Sequence, residues 1–139
     1  MHALAGTIQQ PEKRATGMLV NFANWLSSVT GSLGKIGQDI ALLAQNEIGD
    51  VTVAGAGRSS AMHHKQNPVL AEILVTLARF NATQISAMHH ALVHEQERSG
   101  AAWTLEWMIL PQMLNAAGTA LVHAEALLGS VRRIGSASA

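Results

Sequence analysis

An apolar stripe runs through the first third of this 139-residue chain and is the feature that most restricts its fold. Apolar residues recur in alternating steps of four and three: Ala15, Leu19, Phe22, Leu26, Val29, Leu33, Ile36, Ile40 and Leu43. This 3.5-residue period is typical of a helix in a bundle or a coiled-coil seam. A helix of about 30 residues is about 45 Å long, which exceeds the width of a compact globule of this mass. The helix must therefore project or pack lengthwise against partners.

Two further stripes predict two more helices. The second helix is predicted to begin at Asn67-Pro68, because Asn is a strong N-cap and Pro is favoured at the first helical position. The third stripe continues the same spacing through Trp103, Trp107, Leu110, Leu114, Ala117, Leu121, Ala124 and Leu128. We predict an all-α long-helix bundle, with helices at about 12–47, 68–96 and 101–129, a single helical segment over 1–139, and a frayed tail at 130–139.

Glycines recur inside the first predicted helix, at Gly31, Gly34 and Gly37. Each costs roughly 1 kcal/mol relative to Ala in a helix interior. Such a cost is usually offset where a second helix approaches closely, so we expect a neighbouring helix against this part of the chain.

The low charge of the chain excludes several classes of protein. Only 13% of the residues are charged, against about a quarter in an average domain, and nine basic side chains balance nine acidic ones. A hydrophobic fraction of 48% excludes a disordered chain. Zero net charge argues against a nucleic-acid partner, and the lack of Cys excludes disulfides and thiolate zinc sites. We expect a chain that buries more than one face.

Two uncharged stretches approach the length of a membrane span, one between Arg14 and Lys35 and the other at 107–124. Both contain several polar residues, which are costly in lipid. The N-terminal ten residues have neither a basic start nor a long apolar run, so they do not resemble a signal peptide. We predict a cytoplasmic protein with no membrane partner.

The longest predicted loop, residues 49–66, collects groups suited to binding an anion. Ser59, Ser60, Lys65 and Asn67 fall within nine residues, directly before a predicted helix N-terminus. Helix N-termini and lysines attract anions, and glycines let backbone amides approach a ligand. A serine here could act as a proton donor or base if the cation and amides stabilise its alkoxide. The alternative is a flexible solvated loop with Asn67 as an ordinary cap.

A second polar cluster follows the second predicted helix. His90, His94 and Glu97 share one helical face, but Arg98 stands where the H-E-x-x-H zinc motif has its second His. We therefore predict no metal. Arg98 is either part of a polar helix end with ion pairs or a clamp for a carboxylate.

The run Gly57–Pro68, GRSSAMHHKQNP, resembles the signature G-S-S-x-M-P-x-K-x-N-P of the fumarase/aspartase superfamily. A second stretch, residues 95–111, resembles the corresponding part of the 3-carboxy-cis,cis-muconate cycloisomerases, the lactonizing enzymes of protocatechuate breakdown. The resemblance extends from about residue 21 to about residue 133. We call residues 57–68 the signature motif; it lies at the end of the 49–66 loop and just beyond it.

The resemblance implies an architecture and a reaction. Subunits of this family are built on long helices and form homotetramers around a central bundle, and three subunits contribute to each active site. The 49–66 loop is expected to be mobile and to close over a small polycarboxylate, with no cofactor. The reaction is cyclisation of 3-carboxy-cis,cis-muconate to a carboxymuconolactone, with Ser59 as catalytic acid/base. The implied substrate-binding residues are Ser60, Met62, Lys65, Asn67 and Arg98.

This sequence departs from the family pattern at two motif positions and in its length. Arg58 replaces a usual Gly and His63 a usual Pro, and the chain is less than half of a family subunit. The two upstream active-site regions are absent, so we expect a C-terminal part that is inactive until an N-terminal half is supplied. The alternatives are a non-catalytic helical oligomerisation remnant and a fragment of a related C–O or C–N lyase, such as adenylosuccinate lyase.

Overall fold

The computed structural model describes residues 11–45, 48–54, 57–58, 66–95 and 100–135. These residues form three helices: α1 (Pro11–Leu43), α2 (Val69–His90) and α3 (Gly100–Ser130). Four short strands accompany them: β1 (Val51–Val53), β2 (Gly57–Arg58), β3 (Gln66–Asn67) and β4 (Val131–Ile134). The predicted all-α long-helix class is confirmed.

Two apolar clusters show how the helices run. In one, Val20 and Leu26 of α1 lie with Met88 near the end of α2 and Met113 in the first half of α3. In the other, the start of α2 packs with the end of α3 and with the residues after α1, through Ala44, Ala71, Leu74, Ala120, Ala124 and Leu127. Helices α1 and α3 therefore run in the same direction and α2 runs opposite to both.

The crossing of α1 and α2 explains two of the three glycines. A Cβ atom added to Gly34 would lie 2.5 Å from the Ala78 Cβ, and one added to Gly37 would lie 2.6 Å from the Ala71 carbonyl oxygen. The predicted close approach is confirmed at these positions. At Gly31 nothing lies within 4 Å of an added Cβ, so close packing does not explain that glycine.

The ends of α2 differ from the predicted 68–96. The helix begins at Val69 with Pro68 at the N-cap position, because Asn67 pairs with Gly57 in the β2–β3 ladder. At the other end, the Leu92 and Val93 amides donate to the His89 and His90 carbonyls, and this tight turn stops the helix at His90. Helix α1 similarly ends at Leu43, ahead of the predicted residue 47.

The strands form two antiparallel pairs, β1 with β4 and β2 with β3. Val51 and Val53 of β1 are buried in the cluster that also holds Leu127 of α3. The segment predicted as a frayed tail thus begins, after Ser130, with strand β4; residues 136–139 lie outside the described residues.

A single copy of the chain leaves apolar side chains uncovered. On α3 the exposed residues include a series with a spacing of seven: Trp107, Leu114, Leu121 and Leu128. On α1, Met18 and Trp25 are also exposed. Within the part of the chain that the structure describes, no helix is both long and apolar enough to cross a membrane.

Candidate functional site

The β2–β3 ladder joins the two ends of the signature motif. Gly57 pairs with Asn67 and Arg58 pairs with Gln66, directly before α2 begins. The intervening residues, which include Ser59, Ser60, Met62 and Lys65, lie outside the described residues, as does the side chain of Asn67. Their predicted roles therefore stay predictions. The structure does show that both ends of this segment are held together in front of a helix N-terminus.

The N-terminus of α2 is suited to an anion. Pro68 occupies the N-cap position and makes no side-chain hydrogen bond to the helix. Its carbonyl oxygen accepts the first helical bond, from the Glu72 amide. A helix N-terminus carries a partial positive charge on its unsatisfied N–H groups. The signature motif thus leads into an end of α2 that attracts negative charge, although the Glu72 carboxylate in the first turn partly opposes this attraction.

The second predicted cluster is described only at its edges. Arg98 and Glu97 lie outside the described residues. His94 follows α2, and its Nε2 atom is 3.8 Å from the Oε1 atom of Glu106 on α3. Both side chains are largely buried, with 12% and 7% of their surface exposed. The pair therefore links the two sides of the α2–α3 connection, next to the segment that contains Arg98.

The buried role of Glu106 was missed by sequence reasoning. Its Oε1 atom has no hydrogen-bond partner among the described residues. The available signal was a carboxylate next to Trp107 and inside the apolar third stripe, where an exposed charge would be unexpected. A second missed residue is Asn81 of α2, which is fully buried and donates through Nδ2 to the Met113 carbonyl, 3.2 Å away.

No metal cluster is found within the described ranges: no three His, Asp or Glu side chains there are placed to hold an ion. Of the face considered for a metal, His90 is exposed and His94 is turned toward Glu106. The third member, Glu97, is not described.

The two sets of predicted site residues are attached at opposite ends of the bundle. Helix α2 has 22 residues, which corresponds to about 33 Å at 1.5 Å per residue. Asn67 comes directly before its first turn, whereas Glu95 and Gly100, which flank the segment containing Arg98, come after its last turn. A single chain therefore keeps the attachment points of the two sets about one helix length apart.

Comparison with known proteins places this fold in a family. A family model described as Lyase matches residues 4–105. The 3-carboxy-cis,cis-muconate cycloisomerase of Pseudomonas aeruginosa is 42% identical over 123 residues, which cover 86% of this chain and 27% of that enzyme. Nitrosuccinate lyase of Streptomyces davaonensis is 44% identical over 103 residues, covering 72% of this chain and 22% of that enzyme.

A solved structure supports the same assignment. The crystal structure of the 3-carboxy-cis,cis-muconate lactonizing enzyme from Pseudomonas putida matches with a TM-score of 0.73 and 38% identity, over 83% of this chain and 25% of that one. The chain thus spans about a quarter of the length of the curated relatives it matches. The resemblance seen in the signature motif is confirmed, and because the family model covers well over half of the sequence, this chain belongs to the lyase family of the fumarase/aspartase superfamily.

Proposed function

We propose that this chain is the C-terminal part of an enzyme that converts 3-carboxy-cis,cis-muconate to a carboxymuconolactone. The observation that carries the proposal is the β2–β3 ladder, which closes the signature motif directly ahead of α2. The ladder joins, ahead of the N-terminus of α2, the two ends of the segment that contains Ser59 and Lys65. The identity to the muconate cycloisomerase of Pseudomonas aeruginosa supports the choice of substrate.

The proposed reaction is an isomerisation that needs no redox step. An oxygen of one substrate carboxylate forms a C–O bond to an alkene carbon, and the π electrons move to the adjacent carbon. That carbon takes a proton from the Ser59 hydroxyl, and in the reverse direction the Ser59 alkoxide removes it. Lys65 and nearby backbone amides stabilise the alkoxide and a substrate carboxylate. Ser60, Met62 and Asn67 complete the binding surface of the loop.

Arg98 is proposed to pair with another substrate carboxylate through its planar guanidinium. Since the attachment points of Arg98 and of the signature motif are separated by the length of α2, the two groups meet only when they come from different chains. A neighbouring chain packed antiparallel would place the α2–α3 connection of one copy beside the signature motif of another. We therefore propose a homo-oligomer, a tetramer by family resemblance, with sites shared between chains.

The exposed stripe on α3 is the proposed surface for this assembly. Trp107 is 67% exposed and Leu121 is 54% exposed in the single chain, and a spacing of seven suits lengthwise helix packing. Analytical ultracentrifugation should show a tetramer that Leu121→Glu dissociates. The control is Glu125→Gln, which changes an exposed polar residue of the same helix and leaves the apolar stripe intact. A wild-type monomer at micromolar concentration would overturn the assembly.

A related C–N lyase is the second candidate, because the identity to nitrosuccinate lyase reaches 44%. The same serine would then remove a proton next to a carboxylate, with loss of the nitrogen substituent from the neighbouring carbon. Assays that offer both substrates distinguish the two chemistries. A non-catalytic oligomerisation remnant would turn over neither. We further propose a cytoplasmic location, a small polycarboxylate as ligand, and no cofactor.

The deciding experiment follows the ultraviolet absorbance of 3-carboxy-cis,cis-muconate with the chain alone and with a separately expressed part of a cycloisomerase that supplies the regions of the subunit this chain does not span. We expect absorbance loss only in the mixture, because the upstream active-site regions are needed. Circular dichroism confirms that both parts are folded. Absence of turnover in a folded, associated mixture contradicts the proposal, and nitrite release from nitrosuccinate in that mixture supports the second candidate.

A further inference from the structure

Arg133 of β4 connects two distant parts of the chain. One guanidinium nitrogen donates a hydrogen bond to the Gly49 carbonyl oxygen, 2.8 Å away and 84 residues earlier in the sequence. Another guanidinium nitrogen donates to the Gly135 carbonyl oxygen. The side chain is half-buried, and the forked geometry of a guanidinium suits it to hold two carbonyls at once.

The two acceptors have an unusual backbone in common. Among the described residues, Gly49 and Gly135 are the glycines with a left-handed backbone, with φ of +62° and +102°. Other residue types rarely adopt these angles. The glycines therefore permit the two turns that direct both carbonyl oxygens at one guanidinium.

Backbone hydrogen bonds extend this connection along β1. The Gly135 amide donates to the Asp50 carbonyl at 2.8 Å, and the Ala54 amide donates to the Ser130 carbonyl at 2.8 Å. Between them, β1 pairs with β4, with Thr52 opposite Arg133. Residues 130–135 thus hold residues 49–54 at both ends of β1.

This held strand is the entry to the signature motif. Gly57, the first residue of the motif, follows Ala54 after only residues 55–56. The exit of the motif continues through Pro68 into α2, and the β2–β3 ladder joins the entry to this exit. The two ends of the motif are therefore held by α2, by the β2–β3 ladder and, through β1, by residues 130–135, which lie more than 60 positions beyond the end of the motif.

We propose that Arg133 is a positioning residue that fixes the entry of the signature motif and thereby the placement of Ser59. The catalytic part of this inference rests on the proposed function. Arg133 itself does not contact substrate in this scheme; it acts through Gly49 and β1.

Amide hydrogen exchange tests the structural part on the full chain. Arg133→Ala should accelerate exchange at the Ala54 and Gly135 amides by about tenfold, as expected for loss of roughly one hydrogen bond. Exchange in the buried core, at Leu74 and Leu127, should stay unchanged. The matched control is Arg132→Ala, which removes the same charge from an exposed neighbour at the β1–β4 register shift. Equal acceleration by both variants, or uniform acceleration through the core, overturns the inference.

Arg133→Lys separates charge from geometry and guards against a variant that fails to fold. Lysine keeps the charge but lacks the forked donor, so its exchange at Ala54 should lie between wild type and Arg133→Ala. Full protection with lysine would show that charge alone suffices and would overturn the role assigned to the guanidinium fork.

Turnover in the complemented mixture tests the catalytic part. Arg133→Ala should lower kcat about tenfold and change KM less, because misplacement of a catalytic group mainly affects the reacting geometry. Arg132→Ala should leave both kcat and KM unchanged. A change in KM with kcat unaltered in Arg133→Ala would contradict the positioning of Ser59. If wild type shows no turnover, the proposed function fails, whereas the exchange pattern still decides whether Arg133 fixes residues 49–54.

Discussion

The two ends of the helical bundle are built in different ways. At the motif end, the chain between α1 and the signature motif is held by backbone pairing with β4 and by the Arg133 hydrogen bonds. At the opposite end, the apolar packing of Met88 and Met113 lies near buried polar side chains, Asn81 and Glu106. The motif end thus adds long-range hydrogen bonds to its apolar cluster, whereas at the other end the Asn81 Oδ1 and Glu106 Oε1 atoms have no hydrogen-bond partner among the described residues.

This difference matters because the proposed active site uses both ends. The segment proposed to bind the substrate needs firm attachment points, and the backbone ladders together with the Arg133 hydrogen bonds supply them. At the opposite end, the fully buried Met88 and Met113 side chains fill the apolar packing between the three helices. There, the buried His94–Glu106 pair connects the segment after α2 to α3. Variants that disturb one end should therefore have effects distinct from variants that disturb the other.

The largest effect is expected at the motif end, from Ser59→Ala. Loss of a general acid/base group should lower turnover in the complemented mixture by about 10²–10⁴-fold, with no change in the unfolding transition. Ser28→Ala is the control, since Ser28 is exposed on α1 and its hydroxyl only donates to the Asn24 carbonyl. Activity within twofold of wild type would exclude Ser59 as the acid/base group and leave Ser60 as the next candidate for that role.

At the opposite end, Glu106→Ala should lower the free energy of unfolding by about 2–4 kcal/mol. The substitution removes the carboxylate next to His94 and leaves a cavity in a buried region. Urea denaturation measures the change. Glu125→Ala on the exposed side of the same helix should cost less than about 0.5 kcal/mol. Equal costs for the two substitutions would show that the His94–Glu106 pair contributes nothing.

The α1–α2 crossing beside the motif end should be sensitive to a single methyl group. Gly37→Ala places a Cβ 2.6 Å from the Ala71 carbonyl oxygen and should destabilise the chain by about 1–3 kcal/mol. Gly31→Ala has open space and should stabilise α1 by up to about 1 kcal/mol. Thermal unfolding of the two variants should therefore shift in opposite directions. A shift in the same direction would mean that the helices separate without cost.

The smallest effect is expected from Arg58→Gly, which restores the residue usual in the cycloisomerases. The backbone of Arg58 pairs with Gln66 whichever side chain is present, so the ladder should persist. Greater freedom next to Ser59 should raise kcat/KM in the complemented mixture by at most about threefold. A clear decrease would indicate that the Arg58 side chain contacts the substrate.

Local patterns in the sequence were sufficient for the three helices and for part of their packing. The stripes predicted helices close to α1, α2 and α3, and the glycine spacing predicted the close contact that Gly34 and Gly37 make. Helical periodicity repeats over many residues, so one sequence is enough to identify a long helix. The signature motif was recognisable for a similar reason, because several defined positions fall in one register.

The strands and the buried polar residues could not be read in this way. A strand of two to four residues shows no period, and β1 and β4 depend on each other across more than 75 residues of intervening sequence. The segment 131–134, predicted as part of a frayed tail, has a partner only because α1 and α3 end at the same side of the bundle. In the sequence, Glu106 is likewise only one charge among apolar residues. Its pairing with His94 depends on how the segment after α2 packs against α3.

The sequence by itself determined the helical class, the family and the identity of the candidate catalytic groups, since these depend on residue type and short-range spacing. Only the tertiary structure decided which segments meet. It joined the two ends of the signature motif, brought Arg133 to Gly49, and separated Asn67 from the α2–α3 connection by the length of a helix. These relations depend on the antiparallel direction of α2 and on long-range hydrogen bonds, which leave no local trace in the chain.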